Sequence, residues 1–329
     1  MRSSAEKFFI YLATGECLLG ILVNGFIVLV NFIEWIKSKR LSTSDVILVS
    51  LAISRIGLLC TSVWDSYLMV TSVDVPTQIR ITDILSGVTH SSNVWFATIL
   101  SIFYFLKIAN FSNPFFLWMK WRINRVVSML LMVPIITYLS ISCAVMWRMN
   151  YHYGSLFSRG KERNVSQEIQ MSKNMLLMIQ VCGGLVNLIP FTLSTISFSL
   201  LILSLWRHTQ RMQVNATGSR DPSTESHVRA MKAVSSFLVL CLLYFMAISV
   251  NLWSISEENS KFFYILSTPI MLLYPFGHSV TLILWNSKLR KAALRVSMLI
   301  RCGQRRSHLQ AVWVSLRIIW NFLKGKKTA

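Results

Sequence analysis

The sequence predicts an all-α membrane protein: a seven-transmembrane helix bundle with the N-terminus outside and the C-terminus cytoplasmic. Three observations carry the prediction. The chain is 53% hydrophobic and only 14% charged over 329 residues, where a soluble domain carries roughly 25% charge. Its apolar residues fall in seven long runs, and about 20 apolar residues at ~1.5 Å each cross a bilayer core. Its basic residues, 33 against 13 acids, sit in blocks between those runs. In a soluble protein a net charge of +20 would suggest nucleic acid. Basic blocks between apolar spans instead set orientation in a membrane, so no nucleic-acid partner is expected.

In chain order, the first span covers 8–33 and is followed by Lys37, Lys39 and Arg40. The second covers 46–70, and a loop with Asp74, Arg80 and Asp83 leads to the third, at 84–106. The third is the central one. From Trp95 to Leu106 its only polar groups are Thr98, Ser101 and the Tyr104 hydroxyl, and Lys107, Asn110 and Asn113-Pro114 end it. The fourth span covers 126–146, the fifth 175–205, the sixth 233–255 and the seventh 262–285. Residues 1–294 form one seven-span domain, and 295–329 a basic tail.

Seven spans put the two ends on opposite sides. With the N-terminus outside, most basic residues fall in the cytoplasmic segments: 37–40, 107–125, 207–232 and 288–327. The segment from Arg148 to Lys173 is a local exception. The positive-inside bias therefore favours N-out, C-in.

Polar residues inside the spans say more. Arg55 sits in LAISRIGLL, where a charge costs about 2.5–3.5 kcal/mol on insertion scales. It is expected to face the bundle near Asn24, whose amide oxygen can accept from the guanidinium. Two roles stay open for it: a structural clamp, or a link that rearranges on activation. Glu16 and Asp65 lie in the outer halves of their spans, as ligand contacts or as interfacial acids. Ser86, His90 and Asn93 stand about one helical turn apart on the third span. A lone histidine in a helix is usually a satisfied bundle residue, but a file of three polar positions near the outer third suits a water-accessible pocket.

Four stretches now carry a resemblance. LSTSDVILVSLAISRIGL, WFATILSIFYFLKIANFSNPFFLWMKWRI, SLWRHTQRMQ and YPFGHSVTLILWNSKLRKAAL resemble the type 2 taste receptors, the bitter receptors. FYFLKIANFSNP stands where most rhodopsin-like receptors carry Asp-Arg-Tyr, and the HS…NSKL run replaces Asn-Pro-x-x-Tyr. Arg55 matches the family's second-helix arginine, and Asn24-Gly25 its first-helix pair.

The resemblance implies a G-protein-coupled chemosensory receptor in the plasma membrane. Its partners would be small bitter-tasting agonists, a gustducin-like heterotrimeric G protein and membrane lipid. The agonist would enter an outward-facing pocket between the third, fifth, sixth and seventh spans, lined by Ser86, Thr89, His90, Asn93, Asp65, Trp253 and Thr268. Many members carry tryptophan at the position of Ser86 and asparagine at that of His90, so agonist preferences of such members should not transfer. An imidazole titrates at about pH 6.5 when unperturbed, so acidification is expected to change agonist potency, and less so in His90→Asn. For G-protein coupling the resemblance points to Asn24, Arg55, Tyr104, Lys107, Arg122, Arg207, His208 and His278, with Arg125, Arg211 and Lys232 as further basic candidates. Tyr104 and His278 are expected toward the cytoplasmic ends of their helices. Pro190, Pro269 and Pro275 remove backbone donors and permit kinks.

Three N-x-S/T sequons occur, at Asn110, Asn164 and Asn215. Only Asn164 falls in an outer loop, so it alone is the expected glycosylation site. Of the six cysteines, most lie inside spans and none is clearly in an outer loop, so no outer disulfide is expected. Cys302 lies in the basic tail, where palmitoylation is open. In that tail, 309–323 repeats apolar residues every 3–4 positions and is expected as an amphipathic helix on the inner leaflet. No metal spacing, phosphate loop or nucleophile pattern occurs, so neither an enzyme nor a cofactor is expected. Other readings are a different chemosensory receptor, of pheromone type, or a transporter or channel. The last pair would bring repeated halves, broken helices or a polar filter, and none is visible.

Overall fold

In the computed structural model the described residues are 4–71, 81–109, 113–157, 165–215, 235–250, 253 and 260–304. They form nine helices: α1 (Ser4–Ser38), α2 (Thr43–Thr71), α3 (Ile81–Ile108), α4 (Pro114–Trp121), α5 (Ile123–Phe157), α6 (Val165–Asn215), α7 (Ser235–Val250), α8 (Ser260–Trp285) and α9 (Ser287–Gln304). Among the described residues there is no strand. Six of the helices, α1, α2, α3, α5, α6 and α8, are long and apolar enough to cross a membrane, and α7 is a shorter apolar helix in the sixth position. This is the helical membrane bundle expected from the sequence.

Helix α3 is the axis. It packs against α2, α5 and α6, and 72% of its apolar stretch is buried against 28% for α1 and 22% for α5. The core around it gathers Leu48, Leu51, Ile99, Leu100, Phe198, Phe237 and Tyr274 from five helices. Without a hydrophobic drive between helices in lipid, close packing does much of the work, and small residues permit it. Gly87 of α3 admits the Tyr138 ring of α5 so closely that an added Cβ would overlap it. Gly57 of α2 makes the same room for Thr89, at 2.6 Å.

The ends of the helices follow from local chemistry. Lys39 adopts φ 55° and its amide returns to the Trp35 carbonyl at 2.8 Å, closing α1. Ser42 and Asp45 then cap α2 reciprocally: Asp45 N donates to Ser42 Oγ and Ser42 N to Asp45 Oδ2, both at 3.2 Å. Asn286 opens α9 by accepting from the amides of Lys288 (3.0 Å) and Leu289 (3.2 Å). Outward-facing tryptophans mark the membrane boundary: Trp35, Trp118, Trp121 and Trp206 at the end bearing α4 and α9, Trp147 with Tyr151 at the other.

Three points differ from the sequence expectation. The fifth span was placed at 175–205, yet α6 begins at Val165 and runs to Asn215, and α5 outlasts its span by eleven residues, from 146 to Phe157. Hydropathy marks where lipid ends, whereas a helix continues as long as its i→i−4 bonds do. Helix α4 was not foreseen. Pro114 sits at its first position, where a missing N–H costs nothing. Phe116 packs on Leu106 and Ala109, and Lys120 Nζ caps the Ala109 carbonyl at 3.3 Å. The 309–323 segment, Asn110, Asn164 and Lys232 lie outside the described residues, as do the side chains of Asp65, His208, Arg211 and Cys302. Cys17, Cys60, Cys143, Cys182 and Cys241 are unpaired thiols.

Candidate functional site

The site is built on Arg55, in the middle of α2 and wholly buried. Among the described residues no carboxylate faces it. Neutral groups from two other helices solvate it instead. Nε donates to Asn93 Oδ1 of α3 at 3.0 Å, Nη1 to Ser279 Oγ of α8 at 2.7 Å, and Nη2 meets His278 Nδ1 at 2.5 Å. A guanidinium only donates, so His278 Nδ1 is the acceptor and carries no proton. The Tyr274 ring centroid stands 5.8 Å from the guanidinium carbon, and the Tyr274 side chain is within hydrogen-bond reach of Arg55.

The cluster extends to α1 through a relay. Ser279 Oγ accepts from Arg55 and donates to Asn24 Oδ1 at 2.8 Å, with the Pro275 carbonyl also within reach at 2.7 Å. Asn24 returns its own amide to the Gly20 carbonyl at 2.8 Å. Direct acceptance by Asn24 from the guanidinium is thereby corrected: α8 inserts a hydroxyl between α1 and α2. His278 stands about two turns before the Trp285 end of α8, toward the end expected for it, and its ring faces the buried guanidinium.

Asn93 is a second correction. Expected in the outer pocket file, it is fully buried and turned toward Arg55. Three residues at about 100° each stop some 60° short of a full turn. His90 therefore faces α7 while Asn93 faces α2. The His90 ring stacks on Tyr244 with centroids 5.4 Å apart, and the Tyr244 hydroxyl lies 2.9 Å from His90 Nδ1 and 3.4 Å from Nε2. Tyr244 is wholly buried while His90 is only partly so. The same hydroxyl is within reach of Asn93. A polar path thus runs from a reachable imidazole to an unreachable guanidinium.

The remaining outer candidates are scattered. Thr89 faces Gly57 at the α2–α3 seam and hydrogen-bonds to the Leu85 and Ser86 carbonyls of its own helix, both at 3.0 Å. Ser86 is half-buried, Thr268 is buried on α8, and Trp253 is exposed with its ring against Phe263 at 4.9 Å. Ser91, one position beyond His90, bonds Asn187 of α6 at 3.2 Å.

At the α9 end a second polar group forms. Lys288 Nζ and Asp45 Oδ1 make an ion pair at 2.8 Å, with side-chain exposures of 29% and 13%. Tyr104 of α3 is within reach of the Asn286 side chain that caps α9. Thr43 donates to Asn124 Oδ1 of α5 at 2.5 Å. Lys107, Arg122, Arg125 and Arg207 are exposed around it, Lys107 over the Phe103 ring and Arg122 over Trp118.

The structure therefore joins Asn24, Arg55, Asn93 and His278, sets His90 one step away, and leaves Trp253 and Thr268 apart. Sequence reasoning missed Ser279, Tyr274, Tyr244, Asn286, Asp45 and Lys288. A signal existed for Tyr244, a single hydroxyl in the apolar run FLVLCLLYFMAI, since a buried tyrosine oxygen needs a partner.

The sequence profile of the taste receptor protein (TAS2R) family matches residues 1–301. The chain is 43% identical over 299 residues to taste receptor type 2 member 7 of Macaca mulatta, covering 90% of this chain and 94% of that one. It is 42% identical to the Rattus norvegicus receptor of the same name, covering 90% and 96%. With taste receptor type 2 member 9 of Pongo pygmaeus it shares 41% over 309 residues, covering 93% and 98%.

Proposed function

The chain belongs to the taste receptor type 2 family of G-protein-coupled receptors, and from that premise we propose that it senses small bitter compounds and signals through a gustducin-type G protein. It is a multi-pass membrane receptor, not an enzyme, and membership decides against a transporter or channel. The agonist enters from outside between α3, α6, α7 and α8, with Ser86 and His90 nearest its path, and Thr89, Asp65, Trp253 and Thr268 around it. The end bearing α4 and α9 is cytoplasmic, and its exposed Lys107, Arg122 and Arg207, with His208, meet the G protein or anionic lipid. Asn164 carries the glycan, and the tail beyond 294 lies along the inner leaflet.

The observation that carries this reading is the neutral cage around Arg55. It ties α1, α2, α3 and α8 together through hydrogen bonds that only one relative placement of those helices satisfies. A helix movement started above it therefore has to be transmitted or resisted there. Receptor displayed at the cell surface with a promiscuous G protein is expected to give calcium responses to members of a bitter-compound panel. Surface display with silence across the panel would defeat the reading.

A further inference from the structure

We infer that His90 is held as its Nε2–H tautomer, so that this partly exposed ring offers a donor and the site selects ligands with an acceptor oxygen over cationic ones. This deepens the reading of a ligand site on α3 and rests on it.

Arg55 has donors only. Its Nε points at the Asn93 side chain at 3.0 Å, so the Asn93 atom facing it must be the carbonyl oxygen. The amide orientation of Asn93 is thereby decided, and its nitrogen is left on the other side as a pure donor. Asn93 Nδ2 is fully buried and has no well-formed hydrogen bond, and the hydroxyl within reach of that side chain is Tyr244's. An unmade bond at a buried donor costs about 1–3 kcal/mol, so the Tyr244 oxygen is the acceptor that Asn93 needs. Its own proton must then go elsewhere. Among the described residues the hydroxyl's remaining hydrogen-bond partner is His90, with Nδ1 nearer at 2.9 Å and Nε2 at 3.4 Å. Nδ1 therefore accepts and carries no proton. A neutral imidazole then has its single N–H at Nε2.

The chain of polarity Arg55 → Asn93 → Tyr244 → His90 runs one way because it begins on a permanent cation and each member passes on one donor. Its last member, partly exposed, ends in a donor. A ketone or lactone oxygen completes it. An ammonium group meets a donor with a donor, and in addition lies on the same network as a buried guanidinium. Selectivity for acceptors over cations follows from both terms. Asparagine at this position, with one donor and one acceptor group on a rotatable amide, would impose no such polarity.

The test is nitrogen NMR on the full chain, with 15N-labelled histidine, in phospholipid nanodiscs. The His90 signals are those lost in His90→Asn. A pyridine-type Nδ1 with a pyrrole-type Nε2 is expected. A pyrrole-type Nδ1 or an imidazolium pair overturns the inference, whether or not the receptor answers bitter compounds. In Tyr244→Phe, which keeps the ring stack and removes the hydroxyl, both tautomers should appear; an unchanged Nε2–H tautomer overturns the relay. Titration with acetophenone, an acceptor only, should shift the Nε2 resonance. 1-Phenylethylamine, its cationic counterpart, should leave that resonance in place. The reverse order, or no shift with either, overturns the selectivity.

Discussion

Two charged places in this bundle meet their electrostatic needs in opposite ways. At the centre Arg55 is fully buried and held by an amide oxygen, a hydroxyl, an imidazole nitrogen and the Tyr274 side chain, none of them charged. At the α9 end Lys288 pairs with a carboxylate, and both partners keep some access to solvent. Where water is present a lost partner can be replaced, and an exposed ion pair contributes only about 0–1 kcal/mol. Where it is absent, every dipole around the cation is committed, and every one released is left buried. The centre is thus specific and brittle, the periphery forgiving.

That contrast can be broken most directly at Arg55. Arg55→Met keeps volume but orphans two buried acceptors, Asn93 Oδ1 and His278 Nδ1, at about 1–3 kcal/mol each. Thermal unfolding of purified receptor in nanodiscs should show a loss of that size, with surface display falling alongside. Arg55→Lys keeps the charge and should still fail, because an ammonium on a flexible stem cannot serve three partners fixed for a planar fork. Lys288→Arg should be tolerated, and equal effects of the two exchanges would erase the distinction between the sites. Next comes Ser279→Ala, which removes the bridge to Asn24 while Arg55 keeps its other partners. It should lower the melting temperature by less than Arg55→Met does, and a double mutant with Asn24→Ala should add little to it.

The smallest effect belongs to Asp45→Asn. It removes the charge partner of Lys288 but leaves an amide oxygen able to cap Ser42, so a loss under about 1 kcal/mol is expected. Between about 0.1 and about 1 M salt the screening length falls from ~10 to ~3 Å. The Asp45→Asn effect should therefore shrink as salt rises, while that of Arg55→Met should not move. A salt-insensitive Asp45→Asn would mean that the pair is drier than its exposure indicates.

How much of this was legible beforehand depends on which scale a feature lives on. The spans were legible because lipid rejects polar side chains one residue at a time, and Arg55 stood out against its apolar neighbours for the same reason. That α3 lies at the centre followed from its dense apolar stretch and few polar groups. Helix α4 was not legible, since an eight-residue helix carries little periodicity and was read as part of the basic segment between the third and fourth spans. Asn93 was recognised as a polar residue of interest but placed in the wrong surroundings. Its position along the helix was known, and its rotation around it was not.

The sequence by itself determined a membrane bundle, its apolar spans and a buried cation within it, because those follow from the solvent each residue can tolerate. Only the tertiary structure decided which neutral groups surround that cation, since Arg55 and Ser279 are 224 residues apart and meet through the rotation of two helices. The same holds for the turn of His90 toward Tyr244, 154 residues away. Solvation is a property of a residue and its neighbours in the chain, whereas a hydrogen bond depends on distance and angle between helices that no local pattern specifies.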